Sequence, residues 1–192
     1  MPDQFRTREE LLSALSDAER RVAEFFESLS ADELMRRVGS AWTAAEQLDH
    51  LNTSLSAVTR GFSAPRLVLR LRFGRARKPS RGFAQLRDDY RARLAAGGKA
   101  PGAFVPQQET LTHAQAEIRR QDLVARWHRV NGRLRTGLES WSEKQLEVIR
   151  LPHPLLGKIT AREMAFFAIY HADHHINASR KRIPRFADEM SR

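Results

Sequence analysis

Four long stretches of this chain repeat their apolar residues at helical spacing, and that repetition limits the folds open to it. From Thr7 to Leu29 the residues Leu11, Leu15, Ala18, Val22, Phe25 and Leu29 step by threes and fours. A second stretch begins at Thr43 and carries Leu48, Leu51, Leu55 and Val58. A third runs from about His113 to Leu138 with Trp127, Val130, Leu134 and Leu138 on one stripe. The fourth spans Ala161 to about Arg182 and is stopped by Pro184. Two starts carry capping-box spacing, Thr43 with Glu46 and Thr160 with Glu163. Ser30-Ala31-Asp32-Glu33 reads as a cap with one short turn, and Gly39-Ser40-Ala41 as a break. Four amphipathic helices in one chain must bury their stripes against each other, which predicts an all-α, antiparallel four-helix bundle. The 192 residues suffice for one domain over 1–192.

Between the second and third stretches the pattern fails. Residues 60–110 form an irregular basic insertion and linker. Arg66 to Phe73 alternates in part and fits strand or helix, so a short strand pair is allowed here. Phe83 to Ala96 reads as a moderate helix, and Gly97-Gly98 to Pro106 as a linker. The net charge of +10 is concentrated in this region. Residues 60–93 hold eleven Lys and Arg against only Asp88 and Asp89, and the rest of the chain is close to neutral. Cations interleaved with Leu67, Leu69, Leu71 and Phe73 fit a phosphate backbone or an anionic membrane surface. The sparse aromatic residues give little support to stacking on single-stranded bases. Farther on, Ser140 to Ile159 reads as a connection, in which Pro152 and Pro154 limit helix.

The absence of cysteine excludes disulfides, thiolate zinc sites and a cysteine nucleophile. No apolar run reaches the length of a membrane span, and Met-Pro-Asp-Gln-Phe-Arg lacks a signal-peptide core. A cytoplasmic protein is the default expectation.

The chemistry concentrates in Tyr170-His171-Ala172-Asp173-His174-His175. His171 and His175 are one helical turn apart, on the stripe of Met164, Phe167 and Ala168. Two imidazoles so placed can share a divalent ion, although an inward histidine is more often a hydrogen-bonded core residue. A third ligand must come from His50, His113, His128 or His153. Periodicity does not choose among them. His50 lies off the Leu48–Leu51–Leu55 stripe, beside Gln47 and Ser54, where a boundary or surface residue belongs.

The pattern Trp42-Thr43-x-x-Glu46-Gln47-Leu48-x-His50-Leu51, then His153-Pro154-x-x-Gly157-x-Ile159-Thr160-x-x-Glu163, then Tyr170-His171-x-x-His174-His175, resembles the DinB-like (YfiT-like) superfamily. The likeness covers the first two helices and the last 40 residues, and leaves residues 60–110 uncovered. It implies a DNA damage-inducible family of four-helix bundles in which three histidines bind one divalent metal. Here those are His50, His171 and His175. His174 is then a boundary neighbour, His153 a turn residue, and His113 and His128 solvated or capping residues. Zinc or nickel suits imidazole best, with iron or manganese as alternatives. Many members carry glutamine three residues after the last ligand; here Ala178 stands there, so a polar partner for the ligand is missing at that place.

The resemblance implies a metal-dependent enzyme acting on a small molecule, either a transferase using a low-molecular-weight thiol or a hydrolase. No catalytic residue is identified: Glu46 reads as a cap and Asp49 as part of a solvated face. A homodimer is compatible with the pattern. The rival reading is a stress-related nucleic-acid-binding or interaction module that uses residues 60–93, its metal structural or vestigial.

Overall fold

The computed structural model describes residue 5 and residues 7–187. Its four long helices are α1 (Arg8–Glu27), α3 (Ala44–Ser63), α6 (His113–Glu139) and α8 (Ala161–Arg180). At about 1.5 Å per residue, the 20-residue helices are roughly 30 Å long. Short helices fill the joints: α2 (Ala31–Met35), α4 (Arg66–Phe73), α5 (Phe83–Ala95), α7 (Glu143–Val148) and α9 (Pro184–Ala187). A strand pair, β1 (Arg150–His153) and β2 (Gly157–Thr160), precedes α8.

Local chemistry sets the helix starts. Thr7, Ser30, Thr43, Thr112, Ser142 and Thr160 each cap a helix in a complete capping box. Each box satisfies backbone N–H groups that would otherwise lack partners, and a lost cap costs about 1 kcal/mol. The cap at Thr43 is itself buried, with Glu46 also taking Arg37 at 2.5 Å.

The long helices form a square in which α6 and α8 each pack against both α1 and α3. Side-chain bonds give their directions. Arg120 reaches Glu27 O and Trp127 reaches Glu19 O, while Arg8 reaches Glu139 O, so α1 and α6 are antiparallel. Asn52 reaches Leu123 O and Trp141 reaches Phe62 O, so α3 and α6 run parallel. His50 meets His171 and Gln47 meets His175, so α3 and α8 are antiparallel. Each long helix thus has one antiparallel neighbour. The parallel α3–α6 pair requires the chain to travel back along the bundle between them. Residues 64–112 make that return, as long crossover connections do in other bundles.

Residues 66–73, ambiguous in sequence, are helical. Leu69 is the residue of α4 that is buried, while Leu67, Val68 and Leu71 are exposed. The strand pair lies not in residues 60–110 but at 150–160, with Arg150 opposite Thr160 and His153 opposite Gly157. Pro152 is tolerated because a two-stranded sheet has only edges, where a missing N–H breaks no ladder. Gly157 adopts φ +75°, which lets the chain turn directly into β2.

The basic connection is fastened to the start of α8. The Arg81 N–H and Nε donate to Glu163 Oε1 at 2.9 and 2.8 Å, and Arg81 Nη1 to Asp89 at 2.7 Å. Next to it, Ser80 Oγ lies 2.7 Å from both Glu147 Oε2 and Thr160 Oγ1. Glu163 therefore caps α8 and anchors residues 64–112 at once. No helix among the described residues is long and apolar enough to cross a membrane.

Candidate metal centre

His171 and His175 project from α8 at the spacing read from the sequence, and both are buried. Opposite them α3 presents His50, also buried. His50 Nε2 lies 3.3 Å from His171 Nε2, and His175 Nε2 lies 2.9 Å from the same atom. Among the described residues these three histidines are the grouping of His, Asp or Glu side chains that could hold a metal ion, with ligand atoms within 4.8 Å of one another. Two nitrogens each about 2.0–2.1 Å from one tetrahedral ion sit roughly 3.3 Å apart, so the spacing fits a shared cation.

The outer ring nitrogens orient the inner ones. His50 Nδ1–H donates to the Phe104 carbonyl at 2.7 Å, and His175 Nδ1–H donates to Gln47 Oε1. Both partners are acceptors, so each proton is held at Nδ1 and each Nε2 keeps its lone pair. Those two lone pairs converge on His171 Nε2, which carries at most one hydrogen. Among the described residues, the Ser54 hydroxyl, at 3.4 Å, is the other group within hydrogen-bond distance of His50 Nε2. A divalent cation answers all three lone pairs together. Burial pushes the His50 pKa below the ordinary imidazole value. For His171 and His175 burial, reinforced by the neighbouring imidazoles, pushes it well below. All three are thus neutral at pH 7, the state a ligand requires.

His50 was the residue that periodicity placed at a boundary or on the surface. It is buried because α3 packs against α6 on one side and faces α8 and the turn Gly102–Phe104 on another. Gln47, His50 and Ser54 form a buried polar strip along that second face. The gap expected at Ala178 is filled from elsewhere: Gln47, on α3, supports His175. Trp42 closes the outer side, its ring 5.0 Å from His50 and stacked at 6.4 Å on His175.

The other histidines take separate roles. His174 is half-buried, edge-on to Tyr90 at 6.2 Å. His113 is exposed. His128 is exposed, and its Nδ1 lies 2.7 Å from Glu19 Oε1. His153 is buried, and its Nδ1 accepts the N–H groups of Leu155 and Leu156, both at 3.1 Å. That fixes its proton on Nε2 and makes it a turn-holding residue, as read. Burial lowers its pKa to about 4. Glu46 caps α3, whereas Asp49 is not simply solvated, since it takes Arg126 at 3.0 Å.

A cavity of about 700 Å³ opens beside the cluster. His50 and His171 line it; His175 lies behind them. Leu69, Arg72, Phe73, Tyr90 and Phe104, all from the crossover connection, form part of its wall. Tyr90 is nearly buried and its hydroxyl has no hydrogen-bond partner among the described residues. Burial raises its pKa to about 12, so it remains a neutral donor at pH 7.

A solved structure, the colibactin self-resistance protein ClbS in complex with a dsDNA, is similar to this chain. The two share 17% sequence identity with 96% of each chain covered, at a TM-score of 0.41. Comparison with curated proteins gives no match. Residues 14–178, most of the chain, match the DinB superfamily. With that match across the bundle, and a buried three-histidine cluster inside it, the chain belongs to the DinB superfamily.

Proposed function

We propose that the protein is a metal-dependent enzyme acting on a small molecule, of thiol-transferase or hydrolase type, with His50, His171 and His175 holding one divalent ion. Convergence of three Nε2 atoms beside an open cavity carries this reading. Protein ligands from three imidazoles leave a coordination position free, the pattern of catalytic rather than structural sites. When bound, the metal would supply Lewis acidity and bring a water or thiol pKa toward neutrality. Imidazole ligation favours zinc or nickel.

The chain's own groups complete the site. Gln47 and the Phe104 carbonyl hold the ligand rings in one tautomer. Tyr90 and His153 line the cavity as neutral donors able to bind a substrate oxygen. Apolar walls exclude water and strengthen those contacts.

The structure gives the nucleic-acid reading less support. Of the aromatic residues between 60 and 93, Phe62 and Tyr90 are buried, and Phe73 and Phe83 pack against the core. None is left as a stacking platform. Arg81 is committed to carboxylates within the fold.

Elemental analysis of the purified protein tests the metal. One divalent ion per chain is expected, removed by chelator and restored on reloading. His171→Ala and His175→Ala should each lose it. A double variant that keeps stoichiometric metal would overturn the assignment.

A further inference from the structure

We propose that the cavity takes an amphipathic monoanion, an apolar body bearing one carboxylate or similar group, with its charge on Arg60 and Arg72. This names a substrate class for the metal-dependent site and rests on that reading.

The wall chemistry is divided. Val58, Leu69, Phe73, Leu151, Met164 and Phe167 give an apolar surface. The lining contains no Asp or Glu, and Arg60 and Arg72 are its charged members. Arg60 lies in the last turn of α3 and Arg72 in the last turn of α4. Both are exposed, which puts them at the rim rather than the floor.

Neither arginine meets a carboxylate among the described residues; Arg72 only stacks over Phe73 at 5.6 Å. Arg81, Arg119, Arg126, Arg135 and Arg162, by contrast, are all tied to acidic partners. Among the described residues Arg70, Arg75 and Arg77 also lack such a partner, but Arg60 and Arg72 are the arginines that line the cavity. No Asp or Glu occurs from His50 to Arg87, so the chain offers them no neighbouring counter-ion either. A guanidinium fork matches the planar oxygens of a carboxylate.

The same division excludes other ligands. A sugar or a polyanion would bury polar groups against the aliphatic wall without partners, at a cost of several kcal/mol. A neutral hydrocarbon would leave both guanidinium groups unused. The volume, within the range of about 300–1,000 Å³ found for small-molecule sites, admits a body of ten or so heavy atoms with room to spare.

The test is calorimetric titration of the full chain, metal-loaded and chelator-stripped, with decanoate below its micelle-forming concentration. Decanol and citrate serve as the uncharged and the non-apolar counterparts. Decanoate should bind one per chain and at least roughly ten-fold more tightly than either counterpart, as charge-assisted hydrogen bonds allow. Arg60→Gln and Arg72→Gln should each weaken decanoate by about ten-fold and leave decanol unchanged. Arg70→Gln, outside the lining, should leave decanoate unchanged at matched salt. Ala57→Phe, which fills the cavity from its wall, should abolish binding with the fold intact by circular dichroism. Citrate or decanol binding as tightly as decanoate would overturn the inference, as would an Arg70→Gln effect equal to that of Arg72→Gln. Stoichiometric metal with no decanoate binding overturns this inference alone. Decanoate binding to a protein that takes up no metal under any loading overturns the metal reading and leaves the anion site standing.

Discussion

Replacing Gln47 by alanine tests how the site is built, because Gln47 would act on a bound metal only through His175. Its Oε1 accepts the His175 Nδ1–H in a fully buried setting, both residues being at most 6% exposed. Removing it does two things. In the metal-free protein it leaves a buried N–H without a partner, a cost of about 1–3 kcal/mol. For a chain of this size each kcal/mol lowers Tm by about 2–4 °C. In the metal-bound protein it also frees the ring to rotate and lets the proton move to Nε2, where it blocks the ligand lone pair. Loss of such a supporting partner typically weakens metal binding 10–100-fold, or about 1.4–2.7 kcal/mol. Competition against a chromophoric chelator measures this directly. Gln47→Glu supplies an ionised acceptor at the same place and should restore affinity to the parent value or above. The reasoning is refuted if Gln47→Ala binds metal as tightly as the parent while its Tm falls, for then the contact serves stability alone.

Three further outcomes follow from the geometry. Burial holds the imidazoles of His50, His171 and His175 below their ordinary pKa, so the folded protein should retain metal at about pH 6, where roughly three-quarters of free imidazole is protonated; release at that pH in a binding assay would contradict it. The same burial makes stability depend on acid: the unfolded chain takes up protons below about pH 6.5 while buried His153 does so only near 4, so stability is full above 6.5 and falls through that window, by roughly 3 kcal/mol from His153 alone. Denaturant titrations from pH 7 to 4 read this slope, and His153→Gln should flatten it. Arg81→Ala should release the crossover connection from α8, with faster proteolysis within residues 64–112 while α8 stays protected; unchanged cleavage would show that Ser80 and apolar packing suffice as anchors.

The helices were legible because what makes them is local. A capping box spans four residues, and a stripe such as Leu11, Leu15, Ala18 and Val22 carries its own period. The His171–His175 pair was legible for the same reason. His50 was not legible from the stripe of its helix. A periodicity reading assumes one buried face, and α3 has two, the second lined by Gln47, His50 and Ser54. That polar strip at helical spacing is itself a signal, but it reads as a solvent face until the partner helix is known. Gln47 and His175 are 128 positions apart, and no local rule joins them. The strand pair was misplaced because Pro152 and Pro154 suppress strand signals, while a two-stranded ladder tolerates Pro152 on its edge and Pro154 lies beyond it. Residues 64–112 carried the weakest periodicity. Their packing depends on Arg81 finding Glu163, a pairing fixed by the tertiary fold.

Parallel packing of α3 with α6 links the architecture to the site. It forces a return connection along the bundle, and that return runs beside α3, from Arg60 in its last turn back toward His50 in its first half. The connection then contributes twice: the Phe104 carbonyl fixes the His50 tautomer, and Leu69, Arg72 and Tyr90 wall the cavity that the cluster opens onto. Shortening residues 64–112 to a minimal crossover should therefore spare the α1–α8 packing yet disturb metal binding and the cavity together. The expected magnitude follows from what is lost at the metal. His50 would keep its position on α3 but lose the acceptor at 2.7 Å that holds its proton on Nδ1. Metal affinity should fall 10–100-fold, as for loss of the Gln47 bond. Equal metal affinity in the shortened chain, with helicity preserved, would show that α3 alone orients His50 and that the connection serves the substrate only.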